Sequence, residues 1–357
     1  MSCYVSEYQL LHSHYRSNEE LFSDFFAGRS MLKNIRDEYL PPEFPVVHGS
    51  VIEPNRIGLE RSSKYLYDPE SRLRATLNHT LCDLMSRIPG PLHFDACFVN
   101  RPPTRTFHFG KSLEENRMRQ QYSNEELQKW LAIEMAKWTD GSFDTRQISM
   151  VEATCASGLI VAGLVQRMMN KFGWRRVLAL SVDLFAIDRS WIFAGLGAAA
   201  TDKSDIGFIQ SDGAVVMIFE SEKGLEERGA KATTSITRGY YNADGETLTA
   251  GSRDGVQIAK CMKGAAGSRE IRCLKAHGTG TRVNDESENI AIQNVFGEKK
   301  PKIISLKNQI GHTLNASGLF ELAICDEILK RGKEDHMLLN AFGFGGYNAS
   351  LLIDRTF

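Results

Sequence analysis

The chain has 357 residues, of which 42% are hydrophobic, 24% charged and 9% aromatic, and its formal net charge is −1. That composition fits a soluble globular protein long enough to bury a large core, either as two domains or as one domain with two halves. It excludes a global field favouring nucleic acid, a basic block for a membrane surface, and an apolar run of the roughly 18 residues that a spanning helix needs.

Met1 to Tyr15 is mixed and carries His and Glu, so it does not read as a signal peptide. A helix is predicted from Asn18 to Phe26, ending near Gly28, and a turn at Pro41-Pro42. A long helical pattern runs from Pro69 to Arg87 and stops before Pro89-Gly90-Pro91. Another covers Ser123 to Trp138, with Ser123 or Asn124 as its cap. The apolar-leaning run Arg146 to Ala153 leads through a small-residue turn into a helix from about Leu159 to Met169. Arg176 to Val182 and Gly213 to Glu220 are continuous apolar runs, the pattern of strands buried on both faces. A short helix, Lys223 to Arg228, follows the second of them.

The remainder repeats the theme. Strands are predicted at Ile271–Ala276, Lys302–Leu306, Met337–Ala341 and Ala349–Ile353, with helices at Asp285–Val295 and Ser317–Lys330. Buried strands alternating with helices predict α/β layering. No sequence identity between the halves is visible, so any duplication is expected in structure only. The seven cysteines (Cys3, Cys82, Cys97, Cys155, Cys261, Cys273 and Cys325) are odd in number, scattered and without a CxxC pair. A disulfide framework or zinc cluster is therefore not expected, and a reducing cytoplasm is.

Cys155, in Val151-Glu152-Ala153-Thr154-Cys155-Ala156-Ser157-Gly158-Leu159, sits at a strand-to-helix junction. Backbone N–H groups and the positive helix end beside it are expected to lower its thiol pKa. Far downstream lie His277, in Ala276-His277-Gly278-Thr279-Gly280-Thr281, and His312, in Lys307-Asn308-Gln309-Ile310-Gly311-His312. A cysteine and two histidines, each in a small-residue loop, suggest acyl-transfer chemistry.

Four segments in order carry a resemblance: Thr154 to Gly158; Lys275 to Thr281; Lys307 to His312 with Leu314-Asn315-Ala316-Ser317-Gly318; and Asn340-Ala341-Phe342-Gly343-Phe344-Gly345-Gly346-Tyr347-Asn348. Together they resemble the β-ketoacyl synthase family, the elongating Cys-His-His branch of the thiolase superfamily. The resemblance implies a five-layered α-β-α-β-α thiolase-like fold. Its two halves are expected at 1–240, carrying the nucleophile, and 241–357, carrying both histidines. It implies a decarboxylative Claisen condensation between an acyl group on Cys155 and a malonyl group on a carrier protein.

On this resemblance His277 and His312 polarise the enolate oxygen, while the backbone N–H groups of Cys155 and Phe344 hold the acyl oxyanion. Lys307 pairs with Glu321 as a buried scaffold, and Phe344, with Gly345 beside it, gates the extender unit. Thr279, Thr281, Phe342 and Phe193 are implied as substrate-binding residues. Arg61, Lys64, Arg72 and Arg74 are implied as a basic rim for an acidic acyl carrier protein. Asp285 could equally be a plain helix N-cap. No metal or redox cofactor is implied; the substrates are phosphopantetheine thioesters. The expected partners are the carrier and a second synthase-like subunit, identical or different, with no nucleic acid or membrane.

Departures from the family pattern accompany the matches. Asn100-Arg101-Pro102-Pro103-Thr104-Arg105 replaces a glycine-rich loop, the stretch from Lys330 to Asn340 is short, and Tyr347 stands where threonine is usual. Asp205-Ile206-Gly207-Phe208 lacks the usual arginine-aspartate pair, and Ser211-Asp212-Gly213-Ala214 varies an acidic-glycine motif. Such drift points to a specialised pathway of the polyketide or fatty-acid type. The rival readings are a thiolase-fold acyltransferase that does not condense, and a silent partner subunit that sets chain length.

Overall fold

The computed structural model describes residues 2–13, 15–40, 42–60, 69–102, 112–141, 143–246 and 251–356. The first half of the fold holds β1 (Cys3–Leu11), α1 (Asn18–Phe26) and a small ribbon of β2 (Lys33–Asn34) and β3 (His48–Gly49) flanking α2 (Arg36–Tyr39). It continues with α3 (Pro69–Met85), β4 (Ala96–Asn100), α4 (Leu113–Ala136), β5 (Ile148–Met150) and α5 (Ser157–Phe172). Then come β6 (Arg176–Asp183), α6 (Ile187–Gly195), β7 (Gly213–Ser221) and α7 (Glu222–Arg228).

The second half runs β8 (Thr234–Ala243), α8 (Val256–Ala266), β9 (Cys273–Lys275), α9 (Arg282–Phe296) and β10 (Lys302–Ile304). It closes with α10 (Lys307–Ile310), α11 (Ser317–Lys330), β11 (His336–Gly343) and β12 (Tyr347–Arg355).

The strands fall into two sets with one plan, β5-β4-β6-β7-β1 and β10-β9-β11-β12-β8. In each set the first three strands are parallel and the last two joins are antiparallel. The sets meet where β1 pairs antiparallel with β8 at Cys3–Ile236, Tyr4–Ser235 and Val5–Thr234. The second set starts at Thr234, so β8 straddles the 240/241 division expected from sequence.

Side-chain alternation builds the layers. Val177 and Ala179 of β6 face a central cluster with α5 and α11, whereas Leu178, Leu180 and Val182 face Leu73, Leu77 and Leu81 of α3. Leu338 and Leu352 pack on Ile258 and Met262 of α8 and Ile292 of α9, while Leu339 and Ile353 turn back to the centre. The result is helix, sheet, helix pair, sheet, helix. β6 and β7 are buried at every residue because both faces are covered, which is why they read as unbroken apolar runs.

The two central helices touch at Gly158 and Gly318. A Cβ on Gly158 would lie 2.4 Å from Leu319 N, and one on Gly318 would lie 2.5 Å from Leu159 N. The contact exposes a repeat that the sequence reading missed: Ala156-Ser157-Gly158-Leu159 and Ala316-Ser317-Gly318-Leu319 are identical and equivalently placed. Two helix starts also differ from expectation. α4 begins eleven residues before Asn124, where Ser112 and Glu115 form a reciprocal capping box. α9 begins at Arg282 with Thr281 at its N-cap, so Asp285 lies inside the helix rather than capping it. Among the described residues no helix is long and apolar enough to cross a membrane.

Candidate active site

Cys155 reaches its position through strained backbone. Thr154 has φ 48°, in the left-handed region, and residues 154–156 make one 3-10 turn before α5 begins. Gly343, ending β11, presses on this turn: a Cβ there would lie 2.0 Å from Thr154 Oγ1 and 3.2 Å from Cys155 N. Only glycine allows that approach. Thr154 Oγ1 also donates to the Phe344 carbonyl (3.2 Å), tying the Cys155 turn to the glycine-rich loop of the second half.

The thiol is 5% exposed and lines a cavity of about 780 Å³ shared with His277, His312, Thr279, Phe342 and Phe344. Its pKa corrects the sequence expectation. Burial pushes it up to about 12; Lys307 and its own backbone N–H pull down, while Asp183 and Glu321 push up. Desolvation of a thiolate outweighs the helix end, so the resting group is a thiol.

The two imidazoles lie with ring centroids 5.7 Å apart and planes at 81°. Both are held neutral, far below the ordinary histidine range, by burial first and then by Lys307, with Lys275 adding to the effect. The backbone N–H of Leu314 lies 3.3 Å from His312 Nδ1, and Ser317 Oγ lies 2.9 Å from it. A backbone N–H can only donate, so Nδ1 accepts and the proton sits on Nε2. For His277 the donor is an ammonium: Lys307 Nζ is 3.5 Å from Nδ1 and 2.8 Å from the His277 carbonyl. Lys307 also pairs with Glu321 Oε1. Burial raises the Glu321 carboxyl, but two ammonium groups overcome that and hold it below its ordinary range.

Aromatic rings ring this centre. Phe193 stacks on Phe344 (5.7 Å, 21°) and meets Phe208 edge-on (5.1 Å); Phe208 packs on His312 (5.1 Å) and Phe342 on His277 (5.4 Å). Thr279 and Thr281 share a hydroxyl hydrogen bond of 2.9 Å on the cavity wall, and Gly345 takes φ 80° in the turn after Phe344.

Two histidine loops from one half and a cysteine turn from the other thus converge on one cavity. Residues 234–336 match the family model for the beta-ketoacyl synthase C-terminal domain. Over those residues the chain is similar to the β-ketoacyl synthase family. It is 33% identical to 3-oxoacyl-acyl-carrier-protein synthase 1 of Haemophilus influenzae over 186 residues, 44% of this chain and 45% of that one. It is 30% identical to synthase 2 of Staphylococcus aureus strain COL over 183 residues, 42% of this chain and 44% of that one. The match therefore spans less than half the length of these relatives.

The fold likeness is complete. A beta-ketoacyl synthase from Burkholderia phymatum STM815 superposes with TM-score 0.76 at 20% identity, over 100% of both chains. The ishigamide ketosynthase/chain length factor gives 0.75 at 17%, over 100% of this chain and 99% of that one.

The docking residues fare differently from the centre. Arg72 is buried, not on a rim: it donates to Asp212 (2.7 Å) and to the Phe185 carbonyl (2.7 Å), neutralising a carboxylate that also accepts from Ile52 N–H. An apolar interior cannot leave Asp212 unpaired, so the arginine is structural. Arg74 is half-buried on α3, and Arg61 and Lys64 lie outside the described residues, as does 103–105 of the altered loop. Arg101 of that loop is buried and donates to Asn124 Oδ1 and the Pro102 carbonyl.

Several polar residues that frame the site went unassigned from sequence. Glu288 accepts from the His277 N–H (2.9 Å), the Gly278 N–H (3.0 Å) and Asn340 Nδ2 (3.0 Å). Asp183 accepts from Asn315 Nδ2 (2.8 Å) and pairs with Arg189 (2.7 Å). Lys275 pairs with Glu321 Oε2. The readable signals were a lysine two positions before His277 and the repeated Ala-Ser-Gly-Leu. Glu288 gave none beyond lying in the first turns of a helix. Among the described residues no cluster of His, Cys, Asp and Glu could hold a metal ion.

Proposed function

We propose that the chain is a β-ketoacyl-carrier-protein synthase that joins an acyl group held on Cys155 to a malonyl unit delivered by a carrier protein. The observation that carries the reading is the single cavity lined by Cys155, His277 and His312. In the first step Cys155 Sγ attacks the acyl thioester, and its proton leaves to the departing carrier thiol as the new thioester forms. A thiol near pKa 12 is not ionised beforehand, so proton loss and attack go together.

In the second step the malonyl C–C bond breaks, CO2 departs, and the enolate oxygen receives hydrogen bonds from the Nε2–H groups of His277 and His312. Neutral imidazoles suit this role because they donate without becoming acids strong enough to quench the carbanion. The enolate carbon then attacks the acyl carbon. The tetrahedral oxyanion is held by the N–H groups of Cys155 and Phe344; its collapse breaks the C–S bond and expels the Cys155 thiolate, which takes a proton from water to return to the thiol. Thr279 and Thr281 suit the pantetheine arm, and Phe344, stacked on Phe193, suits a gate.

A dimer with a synthase-like subunit, an acidic carrier and a reducing cytoplasm complete the reading; the seven cysteines are free. The test is intact-protein mass after incubation with a panel of acyl-carrier proteins, alongside labelled CO2 release from malonyl-carrier protein. Acyl adducts on Cys155 together with CO2 release are expected. Adducts without CO2 would make it a non-condensing acyltransferase, and neither would make it a silent partner.

A further inference from the structure

Lys275, the last residue of β9, is fully buried two positions before His277, and nothing in the reaction above uses it. Its Nζ has two acceptors, Glu321 Oε2 and the Asn340 carbonyl (2.6 Å). Tracing outward from those partners gives a closed circuit. The His277 N–H donates to Glu288, which also accepts from the Asn340 side chain. The Asn340 carbonyl accepts from Lys275, and Lys275 holds one oxygen of Glu321. The other oxygen is held by Lys307, which returns to the carbonyl and the ring of His277. Asn340 is itself fixed by Ser350 Oγ (2.8 Å). Six elements, β9, α9, α10, α11, β11 and β12, are thereby tied to one imidazole.

We propose that Lys275 is a positioning residue for His277: its ammonium closes a buried ring of hydrogen bonds that begins at the His277 backbone N–H and ends at its carbonyl and Nδ1. This rests on the reading of His277 as an enolate donor. By taking Oε2 for itself, Lys275 leaves Oε1 alone for Lys307 and so aims the Lys307 ammonium at Nδ1, which keeps the proton on Nε2. The charged groups facing His277 are then Lys275 and Lys307 against Glu321 and Glu288, with His312 and Cys155 completing its surroundings. A second buried cation opposes protonation of the ring and so widens the pH range over which it donates.

The test is Lys275→Met, which leaves Glu321 and Lys307 as a neutral pair. Decarboxylation of malonyl-carrier protein is expected to fall about tenfold or more, because small displacements of a donor are costly. Acyl loading of Cys155 is expected to change by less than about threefold. The acid limb of the pH–rate profile is expected to move upward, since one cation opposing ring protonation is gone. Lys275→Arg is expected to restore the rate in part. Imidazole nitrogen NMR on 15N-histidine protein, expected to show His277 leaving the single Nε2–H tautomer in the Met variant, reads the same point without turnover. If Lys275→Met does not fold, Lys275→Gln carries the test, with the ring signals and the acid limb expected to move in the same directions. Decarboxylation within twofold of the parent, with acid limb and ring signals unchanged, overturns the proposal. Parent protein that releases no CO2 defeats the synthase reading instead, and the ring signals still decide the role of Lys275.

Discussion

The starts of α5 and α11 are the same device put to two uses. Each is preceded by a 3-10 turn whose first residue has positive φ, Thr154 at 48° and Leu314 at 44°, and whose last begins Ala-Ser-Gly-Leu, and the two glycines press together. In the first, the turn presents Cys155 to the cavity, and Ser157 Oγ merely accepts the Ala153 N–H (2.8 Å). In the second, the equivalent turn position is Asn315, which braces Asp183, and the equivalent serine bonds to Nδ1 of His312. One backbone geometry therefore serves as a mount for a cysteine in one half and for a histidine in the other. The site exists because the two mounts are packed glycine to glycine.

That comparison can be broken at its sharpest point by exchanging the two turn residues for alanine. Cys155→Ala is expected to abolish acyl adducts in an intact-mass assay, while Asn315→Ala keeps them. The latter should cost about 2 kcal/mol in denaturant unfolding, for the lost bond to a buried carboxylate. Adducts surviving in Cys155→Ala would end the assignment. Cys155→Gln is expected to retain malonyl decarboxylation, and His312→Ala to lose it by about a hundredfold while loading survives.

The shared contact comes next. Gly158→Ala and Gly318→Ala each drive a methyl into the partner helix's backbone and should cost about 3 kcal/mol or more. Equal costs in the two variants, measured by urea unfolding, would sharpen the claim of equivalence. A tolerated alanine at either site would break it. The serines should then part company: Ser317→Ala is expected to slow decarboxylation roughly tenfold by freeing His312 Nδ1, whereas Ser157→Ala should affect stability alone, by about 1 kcal/mol. Equal effects on decarboxylation would deny the division of labour.

The smallest expected effect concerns pH. Both histidines are neutral in the folded chain and protonate near pH 6.5 once unfolded, so the unfolded state binds more protons below that value. Stability is therefore present above about pH 6.5 and is lost as the pH falls, by up to about 1.4 kcal/mol per unit for each histidine. His277→Gln and His312→Gln should each flatten the fall of Tm between about pH 6.5 and 5.

Much of this arrangement was legible before any coordinates. β6 and β7 read clearly because they are buried at every residue, and α11 because all but Glu327 and Lys330 of its residues are buried. β1 and β8 were missed: Cys3–Leu11 interrupts its core-facing Val5, Tyr8 and Leu10 with Ser6, Glu7 and Gln9, so no unbroken apolar run marks it. α4 was begun ten residues late because its apolar period appears only near its end, while its start is declared by a capping box alone. Arg72 looked like surface because a charged residue is buried only when a partner is waiting, and Asp212 is 140 positions away.

By itself the sequence determined which groups could react: one cysteine at a helix start, two histidines in glycine loops, and the lysine and glutamate that accompany them. Those are local facts, written in residue type and spacing. Tertiary structure alone decided their states. Whether Cys155 rests as thiol or thiolate depends on burial that outweighs the helix end, and which nitrogen of each imidazole bears the proton depends on donors from Lys307 and Leu314. Desolvation and hydrogen-bond direction are properties of packed neighbours remote in the chain, and no spacing rule carries them.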